Sequence, residues 1–529
     1  MIALIWTSSG PAWAGQASTA GTASGWMQRV DRAFEQYLVT PIGAVLFYDM
    51  GRVYTAVTGE KLATQIPFVL LWLILGGVFF TLRMRFINIR GFRHAVRLTR
   101  GDYDNPADAG EVSHFQALSS ALSGTLGLGN IGGVAIAIMA GGPGATIWMM
   151  IAGLFGMSTK FTECALGQMY RRIDHSGVVA GGPMYYLRDG LAELGWKKTG
   201  AVLAGFFAVM CMGGALGGGC AFQVNQSLGA VRGQIQFFDE FPWAYGLTAA
   251  FFVGLVIIGG IRRIAAAAEK IVPFMCGLYM LCALIIIVMH AGHVIPAFGE
   301  ILRGAVHPDA VYGGILGVLV QGFRRAAFSN EAGIGSASIA HSAARTDYPI
   351  REGMVALLEP FIDTVVVCTV TALVIVISGV HVDPQLSSAD GSQLTVAAFA
   401  SVSKWFPWLL TIIIVLFAYS TMITWAYYGE RCWTSLIGAR TSVAFSLVFL
   451  TFVVLGSIVQ ATNILNFSDL MIFSMAIPNL IGAVALSGKV KRALDDYWRR
   501  YRAGEFETRR ERATPSRPAL EVPARQELH

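Results

Sequence analysis

Apolar runs of roughly twenty residues, each long enough to cross about 30 Å of hydrocarbon, recur along this chain from Ile66 to Ala485. Nothing constrains its fold more. Lipid offers backbone N–H and C=O groups no partner, so a chain that threads it repeatedly must close its own hydrogen bonds as helices. Composition agrees: 54% of the 529 residues are hydrophobic and 14% are charged, against about 25% charged in a soluble protein. The reading is an all-α polytopic membrane protein. Its seven cysteines lie in or beside apolar stretches without metal-ligand spacing and read as small hydrophobes. The net charge of +6 sits in short loops and the C-terminal tail, so it reports topology and not nucleic-acid binding.

Eleven spans are expected, at about 66–84, 112–140, 144–170, 200–229, 243–261, 271–290, 311–342, 353–379, 395–429, 440–459 and 464–487. Lysine and arginine in short loops mark the cytoplasmic side. The loop after the first span carries Arg83, Arg85, Arg90, Arg93, Arg97 and Arg100, and alternate later loops are basic too. The expected topology has the N-terminus outside and the C-terminus in the cytoplasm, in a plasma membrane of bacterial inner-membrane type. The chain then divides into a leader or signal-like segment (1–25), ending in an A-W-A motif, and an external or interfacial amphipathic segment (26–65). An extra first transmembrane helix with its basic loop follows (66–111), then a first five-helix repeat (112–290) and an external loop (291–310). A second five-helix repeat (311–488) and a basic cytoplasmic tail, partly disordered (489–529), complete it.

Two spans are interrupted by glycine and polar residues: His114–Gly142, broken at Gly124–Gly133, and Gly313–His341, broken around Gly322–Gly335. They open the two sets of five and run in opposite directions, the layout of an inverted repeat. Unwound backbone survives at membrane depth only where it lines a protein-buried or watery cavity. Matched broken helices are the best sequence pointer to a transporter's substrate and ion site. Glycines alone would equally suit a tight helix-crossing surface, but Asn130 in the first break and Ser329, Asn330 and Glu331 in the second weigh against that. Ionisable residues within a span default to a functional reading with a partner nearby. Arg325 and Glu331 could pair, or Glu331 could meet Lys160. In the ninth span, the hydroxyls of Ser420 and Thr421 could complete a cation shell, with Trp425 one turn beyond on the same face. The fourth span carries Gln223, Asn225 and Gln226, and at least one of these amides should face a cavity. No HExxH motif and no GxS with a base partner appear, so the chain is not read as an enzyme.

The motifs ALSGTLGLGNIGGVAIAI (121–138), GGPGATIWMMIAGLFGMSTKFTECALGQMYR (141–171), GGPMYYL (181–187) and FRRAAFSNEAGIGSASIAHSAARTDYPIREG (323–353) resemble the alanine or glycine:cation symporter family. The resemblance runs from about Ile66 to Arg492. It implies a leucine-transporter-like fold, one extra helix before a ten-helix core. It also implies Na+-coupled uptake of small neutral amino acids by alternating access, with Na+ as coupling ion and no cofactor. By the same likeness, Gly127, Leu128 and Gly129 would offer N–H groups to the substrate carboxylate. Thr125 and Asn130 would hold one Na+; Ser123 and Leu126 carbonyls with Ser420 and Thr421 would hold another. Gln223 or Asn225 would contact substrate, with Phe328 and Trp425 as walls. The partners implied are the amino acid, Na+ and the bilayer, with no nucleic acid and no obligatory protein partner. The alternative is a proton-coupled symporter with Glu331 or Glu163 as carrier.

Overall fold

The computed structural model describes residues 65–509 apart from 176, 258–259, 308–313, 387–390, 402 and 404, with residue 511 and a few isolated residues between 29 and 55. The leader expected at 1–25 lies outside the described residues. Helix α1 (Phe68–Arg83) ends where Arg85 and Phe86 turn left-handed, and α2 (Phe92–Thr99) lies after that turn. Helix α3 (His114–Thr125) opens on the capping box that Ser113 and Gln116 suggest, both reciprocal hydrogen bonds being present. It stops at Thr125. A π-helical turn, Gly129–Gly133, leads into α4 (Val134–Gly141), and the two halves are bent by 54°.

Helix α5 (Ala145–Met169) passes through the centre of the bundle, and its inner half buries Lys160, Thr162 and Glu163. Then come α6 (Lys197–Leu216), a π turn at Gly217–Ala221, α7 (Phe222–Arg232), α8 (Pro242–Ile257) and α9 (Gly260–Met289). The second half comprises α10 (Ala291–Val306), α11 (Gly314–Asn330), α12 (Ala337–His341) and α13 (Pro349–Ala356). A π segment at Phe361–Cys368 continues into α14 (Thr369–Ser378). Helices α15 (Gly391–Ala400), α16 (Phe406–Ile437), α17 (Ser442–Gly456) and α18 (Ala461–Arg502) end the chain. Among the described residues, six helices are long and apolar enough to cross a membrane, or seven counting the bent pair as one span. Phe251, Phe274, Leu281 and Val288 are exposed on α8 and α9. So much outward apolar surface on neighbouring helices suits lipid and not water.

Two sequence expectations need correction. The segment 291–310, expected as a loop, contains α10. It buries Ala297, Ile301 and Ala305 at four-residue spacing and packs against α5 and α14, an amphipathic period hidden among polar residues. The second break is narrower than Gly322–Gly335. Helix α11 runs unbroken through Gly322, whose missing side chain admits α5, since a Cβ there would stand 2.6 Å from the Ala145 carbonyl oxygen. The unwinding begins at Glu331 (φ 56°) and includes Gly333 and Gly335 (φ 92° and 91°). The basic tail expected from 489 starts as helix: α18 continues to Arg502 and its aromatic face docks on α2, while the Pro-rich end lies outside the described residues.

At that dock the His94 Nε2 lies 2.8 Å from the Tyr497 hydroxyl, ringed by Tyr103, Trp498 and Tyr501. Burial, with Arg97 and Arg351 nearby, pushes the His94 imidazole down to about 4. The folded state therefore favours neutral His94. Its contribution is whole above the unfolded value of about 6.5 and is lost as pH falls toward 4. Thermal stability in detergent is expected to fall across that window, and less steeply in His94→Gln; equal slopes would refute the assignment.

Candidate functional site

Between α3 and the following π turn, Leu126, Gly127 and Leu128 form the first break, and a small polar cavity opens beside it. Thr125, Gly127, Gly129, Gln223, Phe328 and Trp425 are among its lining residues. Gly127 is glycine for a steric reason: a Cβ there would lie 2.6 Å from the Thr421 hydroxyl and 3.1 Å from the Gln223 Oε1. The Gly127 N–H donates to the Thr125 carbonyl (2.8 Å) and the Asn130 Oδ1 (3.1 Å), and the Leu128 N–H to the Gln223 Oε1 (3.1 Å). These acceptors are neutral. A carboxylate accepts about twice as strongly, so an amino-acid carboxylate can compete for the same donors.

Gln223 donates in turn to the Gly218 carbonyl (2.8 Å), tying the first break to the π turn before α7. Asn225, two residues on, is directed elsewhere: its amide reaches toward the Gly456 and Val459 carbonyls at the end of α17. Of the two amides, Gln223 is the one at the cavity. Phe328 stacks edge-on against Phe222 (5.1 Å) under the Arg325 guanidinium (5.4 Å). Trp425 is buried, and its Nε1–H donates to the Glu331 Oε1 (3.1 Å), joining α16 to the second break.

The residues expected to hold cations fall in two groups. The Thr421 hydroxyl donates to the Ser123 carbonyl (3.0 Å), and the Ser123 hydroxyl to the Ser420 carbonyl (2.8 Å), so α3 and α16 meet beside Leu126. The Ser420 hydroxyl turns back to the Phe417 carbonyl. On the other side, Asn130 donates to the Asp363 Oδ1 (2.7 Å), and the Thr125 hydroxyl turns back to the Ala121 carbonyl of its own helix (3.4 Å). Asp363 is the residue that reading the sequence missed. Its carboxylate also accepts from Ser329 (3.0 Å) and Thr364 (2.6 Å), is wholly buried, and forms no ion pair among the described residues. The usable signal was its place as an acid in the apolar run FIDTVVVCTV. A buried carboxylate beside the Ser329 and Thr364 hydroxyls offers the oxygen donors a hard cation takes.

The charged pairs also differ from expectation. Arg325 pairs with Asp469 of α18 and not with Glu331, Arg324 meets the same carboxylate (2.6 Å), and Lys160 pairs with Glu359 (3.2 Å). A lone buried charge is far costlier than a paired one, so each cation takes an acid from another helix that local spacing could not reveal.

A membrane bundle that turns unwound backbone, an amide and a carboxylate inward on one small cavity is a solute transporter. The comparisons give its family. A model of the sodium:alanine symporter family matches residues 52–511, and the chain belongs to that family. It is 41% identical to the sodium/alanine symporter AgcS of Methanococcus maripaludis over 425 residues, 80% of this chain and 92% of that protein. It is 34% identical over 432 residues to a Bacillus subtilis protein named "Probable sodium/glutamine symporter GlnT", 81% of this chain and 87% of that one. Among solved structures, MhsT in complex with L-phenylalanine is 12% identical at a TM-score of 0.48, covering 72% of this chain and 98% of that one. The chain is thus a multi-pass membrane protein of an amino-acid transporter family, and not an enzyme.

Proposed function

We propose that this protein carries a small neutral amino acid, alanine or glycine, into the cell together with Na+ by alternating access. Eleven transmembrane helices, an extra first helix and two inverted sets of five, would put the face bearing Arg83–Arg100 and the end of α18 in the cytoplasm. One observation carries the reading: the turn at Leu126–Asn130 serves two chemistries at once. Its Gly127 and Gly129 line the cavity and its Leu128 N–H reaches Gln223 there, while Asn130 bonds Asp363 on the other side. An amino-acid carboxylate would take the Gly127, Leu128 and Gly129 N–H groups. One Na+ would take oxygens of Asp363, Asn130, Thr125 and Ser329; a second would take Ser123 and Leu126 carbonyls with Ser420 and Thr421.

Because cation and substrate share that turn, each raises the other's affinity by the same factor. As walls, Trp425 and Phe328 would leave room for a methyl side chain and little more. In proteoliposomes, an inward Na+ gradient is expected to drive alanine accumulation, and Asn130→Ala and Thr421→Ala to weaken its Na+ dependence. Accumulation driven by a proton gradient without Na+ would overturn the coupling assignment.

A further inference from the structure

Away from the cavity, five buried side chains join end to end. The His341 Nδ1 lies 2.5 Å from one oxygen of Glu352, and its Nε2 contacts Glu359. The other Glu352 oxygen meets the His114 Nδ1, and the other Glu359 oxygen meets the Lys160 ammonium at 3.2 Å. At the outer end, the His114 Nε2 is 4.0 Å from Asp104, whose side chain is one-third exposed (33%) in the loop after α2. The chain thus starts at the face bearing Arg83–Arg100 and reaches α5 at the middle of the bundle.

Hydrogen counting shows what this arrangement holds. A neutral imidazole has one N–H, and an ionised carboxylate only accepts. His341 presents both ring nitrogens to carboxylates, so the Glu352–His341–Glu359 triad contains one proton more than a neutral ring between two carboxylates. With that proton, Lys160 and His341 balance Glu352 and Glu359, and the cluster is neutral. Without it a buried negative charge stands uncompensated, which protein interiors resist. Other charged or titratable groups facing the cluster among the described residues include Glu163 and Cys164 of α5, Arg171 after it, Glu331 at the second break, Asp363, and Tyr428 of α16.

We propose that Glu352, His341 and Glu359 form a proton-binding site in exchange with solvent at the basic face, its occupancy linked to the cavity through Lys160. A proton arriving from water at the His114 Nε2 is matched by one passed from its Nδ1 to Glu352, then to the His341 Nδ1; release reverses each hop, and no other reactant is needed. Lys160 answers to both ends: it holds Glu359 and lies in the field of Glu331, which holds Trp425 of the cavity wall. The linkage rests on the function proposed above; the proton site does not.

The test uses full-length protein in lipid nanodiscs with 15N-labelled histidine rings, the His341 signals assigned by their loss in His341→Gln. The wild-type ring is expected to be doubly protonated near neutral pH and to lose one proton on alkaline titration. In His114→Asn, solvent exchange of its ring protons should slow at least tenfold. A ring singly protonated from pH 5 to 10, or unchanged exchange in His114→Asn, overturns the site. If His341→Gln does not fold, assignment passes to Glu352→Gln, where the ring should become singly protonated; a ring still doubly protonated there also overturns it. NaCl with alanine should move the wild-type midpoint by at least half a pH unit. No movement while alanine binds overturns the linkage alone. Failure of alanine to bind overturns the transport reading and leaves the ring titration to decide the site.

Discussion

Replacing Asp363 by asparagine is expected to raise the Na+ concentration for half-maximal alanine uptake about 100-fold or more. Asparagine keeps the shape and can still accept from Ser329 and donate within the cluster, so folding should survive. What disappears is the negative charge that would balance the cation. Removing one partner of a buried charge pair is destabilising by about 3–5 kcal/mol, and 100-fold corresponds to about 2.8 kcal/mol. Uptake against Na+ concentration in proteoliposomes, with Tm in detergent as the folding control, reads both. An Asp363→Asn protein with unchanged Na+ activation would remove this carboxylate from the cation site and leave it a purely packing role.

Replacing Asp469 by asparagine is expected to act on the fold itself. Arg324 and Arg325 share this one carboxylate, and Arg325 is nearly wholly buried. Losing it should destabilise by about 3 kcal/mol, the low end of the buried-pair range because Arg324 is partly exposed and can turn outward. The apparent Tm should fall by several degrees. Removing both members in Arg325→Leu with Asp469→Leu should recover most of the loss, since an apolar pair of similar volume is often neutral or stabilising. An Asp469→Asn protein as stable as wild type would mean the two guanidiniums have other compensation.

The parts of this molecule legible in the sequence are those written locally. The membrane class follows from run length, the first break from glycines beside Asn130, and the cap of α3 from Ser113 and Gln116. The corrected parts depend on what lies across the bundle. Gly322 reads like Gly127 along the chain, but one admits a neighbouring helix and the other the hydroxyl of Thr421. Asp363 lies 233 residues from Asn130, and Asp469 lies 144 from Arg325. A single sequence gives no register between such distant segments, so Arg325 and Lys160 stand out along the chain while the acids that meet them do not. Gln223 and Asn225 show the same limit at close range: both are amides on one helix, and only the packed neighbours decide which one faces the cavity.

Helix α18 has 42 residues, a rod of about 63 Å at 1.5 Å per residue. One end grips Arg325, the other is clamped on His94, and Pro478 sits in between. Proline cannot donate to the carbonyl four residues earlier, so the rod lacks one backbone bond there and is easiest to bend at that point. Next to it Asn479 bonds Glu163 (2.5 Å) and the Gly333 carbonyl (2.8 Å). Any tilt of the outer arm relative to the inner one would therefore be taken up at the level of the second break, where the neighbouring backbone is already unwound, and would reach the far clamp as a change of angle.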